Sequence, residues 1–206
     1  MEDNLQLSEL QRDTIIELLN IGMGLAGDSL SRMVNEEVQL SIPILELLSR
    51  QQVANRVNTE LNRIAVVKQH FDCFFWGEAL LLFLPERSFE LVRVLMKDNV
   101  PTDMLRQLEP DALKEVGNII IGACLSSLAN IFTQELTSDL PTFMIGTTRE
   151  ILDTFVHQTD EIIMFLRMDF ALPTKNIDGY VAFVLEIPSI VQLKAGIDKY
   201  LAGIGY

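Results

Sequence analysis

Histidine, cysteine, basic residues and aromatic rings are all scarce in this chain, and each scarcity removes a class of function. Cys73 and Cys124 are the only cysteines among 206 residues and stand in no metal-ligand spacing, so a reducing compartment is the default. His70 and His157, the only histidines, fall in no paired spacing either. A lone histidine is more often a partly buried structural residue than a ligand. No His-Glu-x-x-His, Walker loop or Gly-x-Ser-x-Gly motif occurs. Lysine and arginine number 16 against 29 acids, a formal net charge of -13. Nucleic acid would be repelled by such a surface, because its binding rests on neutralising phosphates, and anionic membranes are disfavoured for the same reason. A protein partner with basic groups around its binding site remains compatible. Acidity for solubility alone is the plainer alternative.

Long apolar runs are also missing. The longest, 79–84 and 119–125, fall far short of the roughly 20 residues of a spanning helix. The N-terminus, MEDNLQLSEL, is acidic and polar, unlike a signal peptide. The expectation is a cytoplasmic protein without membrane insertion. Apolar residues make up 49% of the chain and aromatics 7%, so an ample core is to be built mostly from Leu, Ile, Val, Ala and Met. The eight methionines read as core filler, and Phe74-Phe75-Trp76 as core or strand edge.

What is present is a repeat. The segment from Arg12 to Val34 has apolar residues at Ile15, Ile16, Leu18, Leu19, Met23, Ala26, Leu30, Met33 and Val34, which is helical spacing. Ser8 and Gln11 suit a capping box at its start. A second segment, from Pro110 to Phe132, reads the same way, with Pro110 at the first helical position and Asp111 in the first turn. A shift of 98 positions superposes Asp13 on Asp111, Glu17 on Glu115 and Asn20 on Asn118, and the match runs on through Ile21 with Ile119, Gly24 with Gly122 and Ser29 with Ser127 to Pro43 with Pro141.

Downstream the halves agree more loosely. Strands are expected over 63–71 and 74–84 in the first half and 162–170 and 180–187 in the second, each pair followed by a proline and a closing helix. Val100-Pro101-Thr102 is the natural seam. The expectation is an α+β fold of duplicated α-β-β-β-α-type halves, about 7–100 and 101–206, with pseudo-two-fold symmetry. Long helices would pack on a mainly antiparallel sheet, and 1–206 would form a single domain. Gly22, Gly24, Gly27, Gly117 and Gly122 lie inside the helices, each costing roughly 0.5–1 kcal/mol relative to Ala. Close approach of another backbone would account for them; a broken helix is the alternative. They do not make a phosphate loop, since no strand precedes them and no Lys follows.

Residues at i, i+4 and i+7 share one stripe of a helix. Asp13, Glu17 and Asn20 therefore form one such stripe and Asp111, Glu115 and Asn118 another, both expected to face outward. Glu is an ordinary surface residue, but Asn is a weaker helix former because its side chain competes for backbone hydrogen bonds. Its retention at the same phase in both helices asks for a cause other than solvation.

The pattern Asp-x-x-x-Glu-x-x-Asn, then twenty-two residues, then Pro resembles the signature of the CheC, CheX and FliY phosphatases of chemotaxis. It is met by Asp13, Glu17, Asn20 and Pro43, and again by Asp111, Glu115, Asn118 and Pro141. With each residue type at about 5%, one chance match has odds on the order of one in a thousand. Two intact signatures in a chain of this length are most similar to CheC. The resemblance implies hydrolysis of the aspartyl phosphate of a CheY-like response regulator. Asn20 and Asn118 would hold the attacking water, and Glu17 and Glu115 would pair with a lysine of the regulator. It implies that Mg²⁺ is supplied by the regulator, so that this chain needs no cofactor or metal of its own. A CheD-like deamidase is a further partner that it suggests. For Asp13 and Asp111 it suggests no catalytic role, and helix-start electrostatics is the expectation. The alternative is a non-catalytic adaptor for a regulator or a CheD-like protein.

Overall fold

The computed structural model describes residues 6–57, 63–96, 100–132, 135–155, 161–172, 175–203 and 205. The chain runs α1 (Glu9–Val34), β1 (Gln39–Leu48), α2 (Arg50–Val57), β2 (Arg63–Asp72), β3 (Trp76–Phe83) and α3 (Pro85–Leu95). The order then repeats as α4 (Thr102–Phe132), the two-residue β4 (Thr137–Ser138), β5 (Thr142–Thr147), α5 (Thr148–Phe155), β6 (Glu161–Leu172), β7 (Lys175–Glu186) and α6 (Ile187–Gly203). The fold is α+β, and all the strand pairings described are antiparallel. A short helix between the first and second strands of each half is an addition to the expected pattern. His157 lies outside the described residues.

The halves share one sheet by exchanging their first strands. The order is β1-β6-β7-β3-β2, with β4 and β5 completing the far edge of β2. So β1 of the first half pairs with β6 of the second, and β5 of the second pairs with β2 of the first. The central pair, β3 with β7, joins the halves directly. β2 and β3 are buried on both faces and so read as near-continuous apolar runs rather than alternating ones. On one face lie α1, α3, α4 and α6, in a core that includes Leu19, Leu30, Val67, Phe71, Leu113, Ile120 and Phe183. On the other, Val53 of α2 and Ile151 and Leu152 of α5 cover Ile64, Val66, Leu80, Leu82, Phe165 and Val184.

α1 begins as its sequence dictates. Ser8 Oγ accepts from the Gln11 N–H, and Gln11 Oε1 accepts from the Ser8 N–H, which completes the capping box. The start of α4 departs from expectation. Pro110 is its ninth residue and not its first, so the helix gains eight residues and forgoes the hydrogen bond a proline cannot donate. Tertiary contacts hold the extension in place. Leu105 is 2% exposed in the core, and buried Glu109 accepts a 2.7 Å hydrogen bond from Ser88 Oγ on α3. By length and composition α4 could cross a membrane, with a window of mean hydropathy 1.4, but half of that window is buried inside this fold.

The helices run unbroken through their glycines, and close approach explains only some of them. A Cβ at Gly22 would lie 2.6 Å from the carbonyl oxygen of Ala123, so that glycine is where α4 presses on α1. Gly24 and Gly122 have nothing within 4 Å, which removes close approach as their explanation.

Candidate functional site

Both signature stripes fall on α1 and α4 as the helical period requires. Asp13, Glu17, Asp111 and Glu115 are exposed. Helix-start electrostatics does not explain the aspartates. Asp13 is the fifth residue of α1 and Asp111 the tenth of α4, and the favourable end charge is confined to the first turn. Asp111 instead meets Lys114 at 2.7 Å on its own helix. Among the described residues no three His, Cys, Asp or Glu side chains converge as a metal site requires. His70 is half-exposed, with its Nδ1 3.3 Å from Glu78.

The two asparagines, equivalent in sequence, are not equivalent in space. Asn20 does not face freely outward but is half-buried with its amide fully engaged. Its Oδ1 accepts from the Ile42 N–H at 2.8 Å, and its Nδ2 donates to the Ile42 carbonyl at 3.1 Å. The cause lies in β1. Opposite Met168 of β6, β1 carries two residues, Ile42 and Pro43, between the pairs Ser41↔Asp169 and Ile44↔Arg167. That extra residue is a β-bulge, and Pro43 has no N–H to offer the ladder. Ile42 is 0% exposed, so its backbone groups need a partner away from water. Asn20 is that partner. The distance of twenty-two residues between the asparagine and the residue before the proline is thereby a contact.

The second copy has the same interruption and a different solution. Between Phe71↔Ser138 and Lys68↔Thr142, three residues, 139–141, stand opposite Gln69 and His70. Pro141 again ends the bulge. Leu140, equivalent to Ile42, is 88% exposed instead of buried. The Asp139 N–H donates to the His70 carbonyl at 3.0 Å. Gln69 Nε2 donates to the Asp139 carbonyl at 2.9 Å, and also reaches Ser138 Oγ at 3.2 Å and Asn118 Oδ1 at 3.4 Å. Asn118 is exposed, and its Nδ2 has no partner among the described residues. Gln69, Ile42 and Leu140 are thus parts of the site that sequence reasoning did not single out. Gln69 left a trace, as a polar residue in an apolar strand, but nothing in the sequence said that it meets Asn118.

Sequence comparison finds curated relatives, among them two phosphatases. Flagellar motor switch phosphatase FliY of Bacillus subtilis is 21% identical over 136 residues, covering 66% of this chain and 35% of that protein. CheY-P phosphatase CheC of the same organism is 23% identical over 140 residues, 66% of each. The crystal structure of Thermotoga maritima FliY superposes with a TM-score of 0.78 at 16% identity, over 94% of this chain and 98% of that one. In sequence the chain is similar to FliY and CheC, and in fold to FliY. It spans about a third of the length of the curated FliY and about two thirds of CheC. No family model matches it. The middle domain of Helicobacter pylori FliM shares the fold as well, with a TM-score of 0.61 at 12% identity over 92% of this chain and 99% of that one. The two signature stripes lie on α1 and α4, and of their two asparagines Asn118 is the one whose Nδ2 has no partner among the described residues.

Proposed function

We propose that the chain hydrolyses the aspartyl phosphate of a CheY-like response regulator. The observation that carries this reading is Asn118. A poor helix former stands on an exposed helical face, with a free amide N–H beside exposed Glu115, at a position the repeat writes twice. Water attacks phosphorus in line with the aspartyl oxygen, the P–O bond to the carboxylate breaks, and inorganic phosphate leaves. An amide has no useful proton affinity, so its part is to hold that water or a phosphoryl oxygen by hydrogen bonding. Glu115, and Glu17 in the first copy, pair with a lysine of the regulator and fix the register of docking. The Mg²⁺ of the reaction is held in the regulator's acidic pocket, and 1–206 acts as one cytoplasmic domain.

A second reading is favoured by the fold shared with the FliM middle domain and by the engagement of Asn20. In it the chain is an adaptor that binds a regulator or a CheD-like deamidase without chemistry. Phosphate release from a phosphorylated CheY-like regulator separates the two. The wild-type chain accelerates release, Asn118→Ala loses about a hundredfold or more, the range expected on removing a hydrogen bond made to the reacting group, and Asn20→Ala with Asn118→Ala loses the acceleration. A double variant as active as wild type would refute the site. Binding without any change in decay would establish the adaptor.

A further inference from the structure

We propose that Gln69 is a positioning residue for Asn118 and makes the second copy the working one; this rests on the phosphatase reading. Both copies interrupt the ladder before the signature proline. In the first the backbone there is buried at Ile42 and needs hydrogen-bond partners within the protein, whereas in the second Asp139 and Leu140 are exposed and water can serve them. In the first copy the signature asparagine itself supplies those partners, through both atoms of its amide. In the second copy Gln69 supplies the N–H for the Asp139 carbonyl, and the His70 carbonyl takes the Asp139 N–H. Asn118 is released from the structural task that occupies Asn20.

Gln69 also fixes which way Asn118 points. A carbonyl oxygen can only accept, so Gln69 must present its nitrogen to Asp139. The same nitrogen faces Asn118, which must therefore turn Oδ1 toward it and Nδ2 away, to solvent. That orientation follows from the partners and does not depend on telling O from N in either amide. Only a donor is then offered to an incoming water or phosphoryl oxygen.

The placement of Gln69 is costly on structural grounds alone. It is 3% exposed on the helix-facing side of β2, between Val67 and Phe71 of the core, and its Oε1 has no partner among the described residues. At the first copy's bulge the residue opposite is Met168, which is 0% exposed and apolar. A methionine therefore suffices where the asparagine serves the backbone. An amide is required where the asparagine is kept free.

The test is Gln69→Met, which keeps the volume and removes the donor, with Gln69→Leu as a second apolar variant in case the first fails to fold. Phosphate release from a phosphorylated CheY-like regulator is measured at saturating and limiting regulator, alongside thermal unfolding. Expected are a kcat lowered about fivefold or more, a KM within twofold of wild type, and a Tm that does not fall. Gln69→Met combined with Asn118→Ala is no slower than Asn118→Ala alone, because Gln69 acts through Asn118. The loss from Asn118→Ala exceeds that from Asn20→Ala. Independently of turnover, the Asn118 side-chain amide resonances lose order in Gln69→Met. A wild-type kcat in Gln69→Met, or a full additional loss in the double variant, overturns the role of Gln69 while Asn118 stands. A wild-type chain that leaves the decay unchanged, or an Asn118→Ala as active as wild type, overturns the phosphatase site and this inference with it.

Discussion

Replacing the two signature asparagines by alanine, one at a time, separates their structural duties without reference to any activity. Asn20→Ala strips the Ile42 N–H and carbonyl of their partners at a residue that is 0% exposed. Each buried group left without a partner costs about 1–3 kcal/mol. The better helix propensity of Ala returns about 0.5 kcal/mol, and water entering beside a half-buried side chain replaces part of the lost bonding. The net loss comes to about 2–4 kcal/mol. For a domain of this size that lowers Tm by about 5–15 °C. Asn118→Ala removes one acceptor at 3.4 Å, and Gln69 Nε2 keeps the Asp139 carbonyl at 2.9 Å. With the same gain in propensity its net effect lies within about 0.5 kcal/mol of zero. Urea unfolding followed by circular dichroism, with m-values unchanged between variants, measures both. Equal losses in the two variants, or a larger loss at Asn118, would refute the account of a clamped and a free copy.

The helix glycines divide by the space above them. Gly24→Ala and Gly122→Ala, where nothing lies within 4 Å, each stabilise by about 0.5–1 kcal/mol, whereas Gly22→Ala destabilises because its Cβ would meet the Ala123 carbonyl; thermal unfolding of the three variants checks the signs. The two thiols differ likewise. Burial pushes the Cys124 thiol up to about 12 from 9.0, while Cys73 is half-buried. At pH 8 one cysteine of the native chain reacts with a thiol reagent, and both react after unfolding. Because the fold favours the neutral Cys124 thiol, its stabilising effect is complete below the unfolded value of 9.0 and is lost as pH rises from there toward about 12. Cys124→Ala lacks this part of the alkaline loss, measured as the difference in unfolding midpoint between pH 8 and pH 11.

Much of the architecture was legible because it rests on local periodicity. The 3.6-residue spacing set the two long helices, the apolar runs set the paired strands, and Ser8 with Gln11 marked the start of α1. The helix start at Pro110 was misplaced because a proline is a local signal, and burial of Leu105 with the Ser88–Glu109 hydrogen bond outweighs it. The exchange of β1 and β5 between halves left no trace in the sequence, since strand partners are chosen by the shape of the whole sheet.

The repeat itself was determined by the sequence alone. A shift of 98 positions brings Asp, Glu, Asn and Pro into register, and the helical period places the first three on one stripe whatever the rest of the chain does. What those residues do was decided by the tertiary structure. Asn20 and Asn118 are the same letter at the same phase, yet one closes a bulge and the other is held open. The difference lies in the strand opposite each bulge: β2 offers Gln69 to Asn118, whereas β6 places apolar Met168 opposite the bulge that Asn20 closes. Hydrogen-bond satisfaction of a backbone depends on three-dimensional neighbours, and at each bulge the strand opposite is drawn from the other half of the chain.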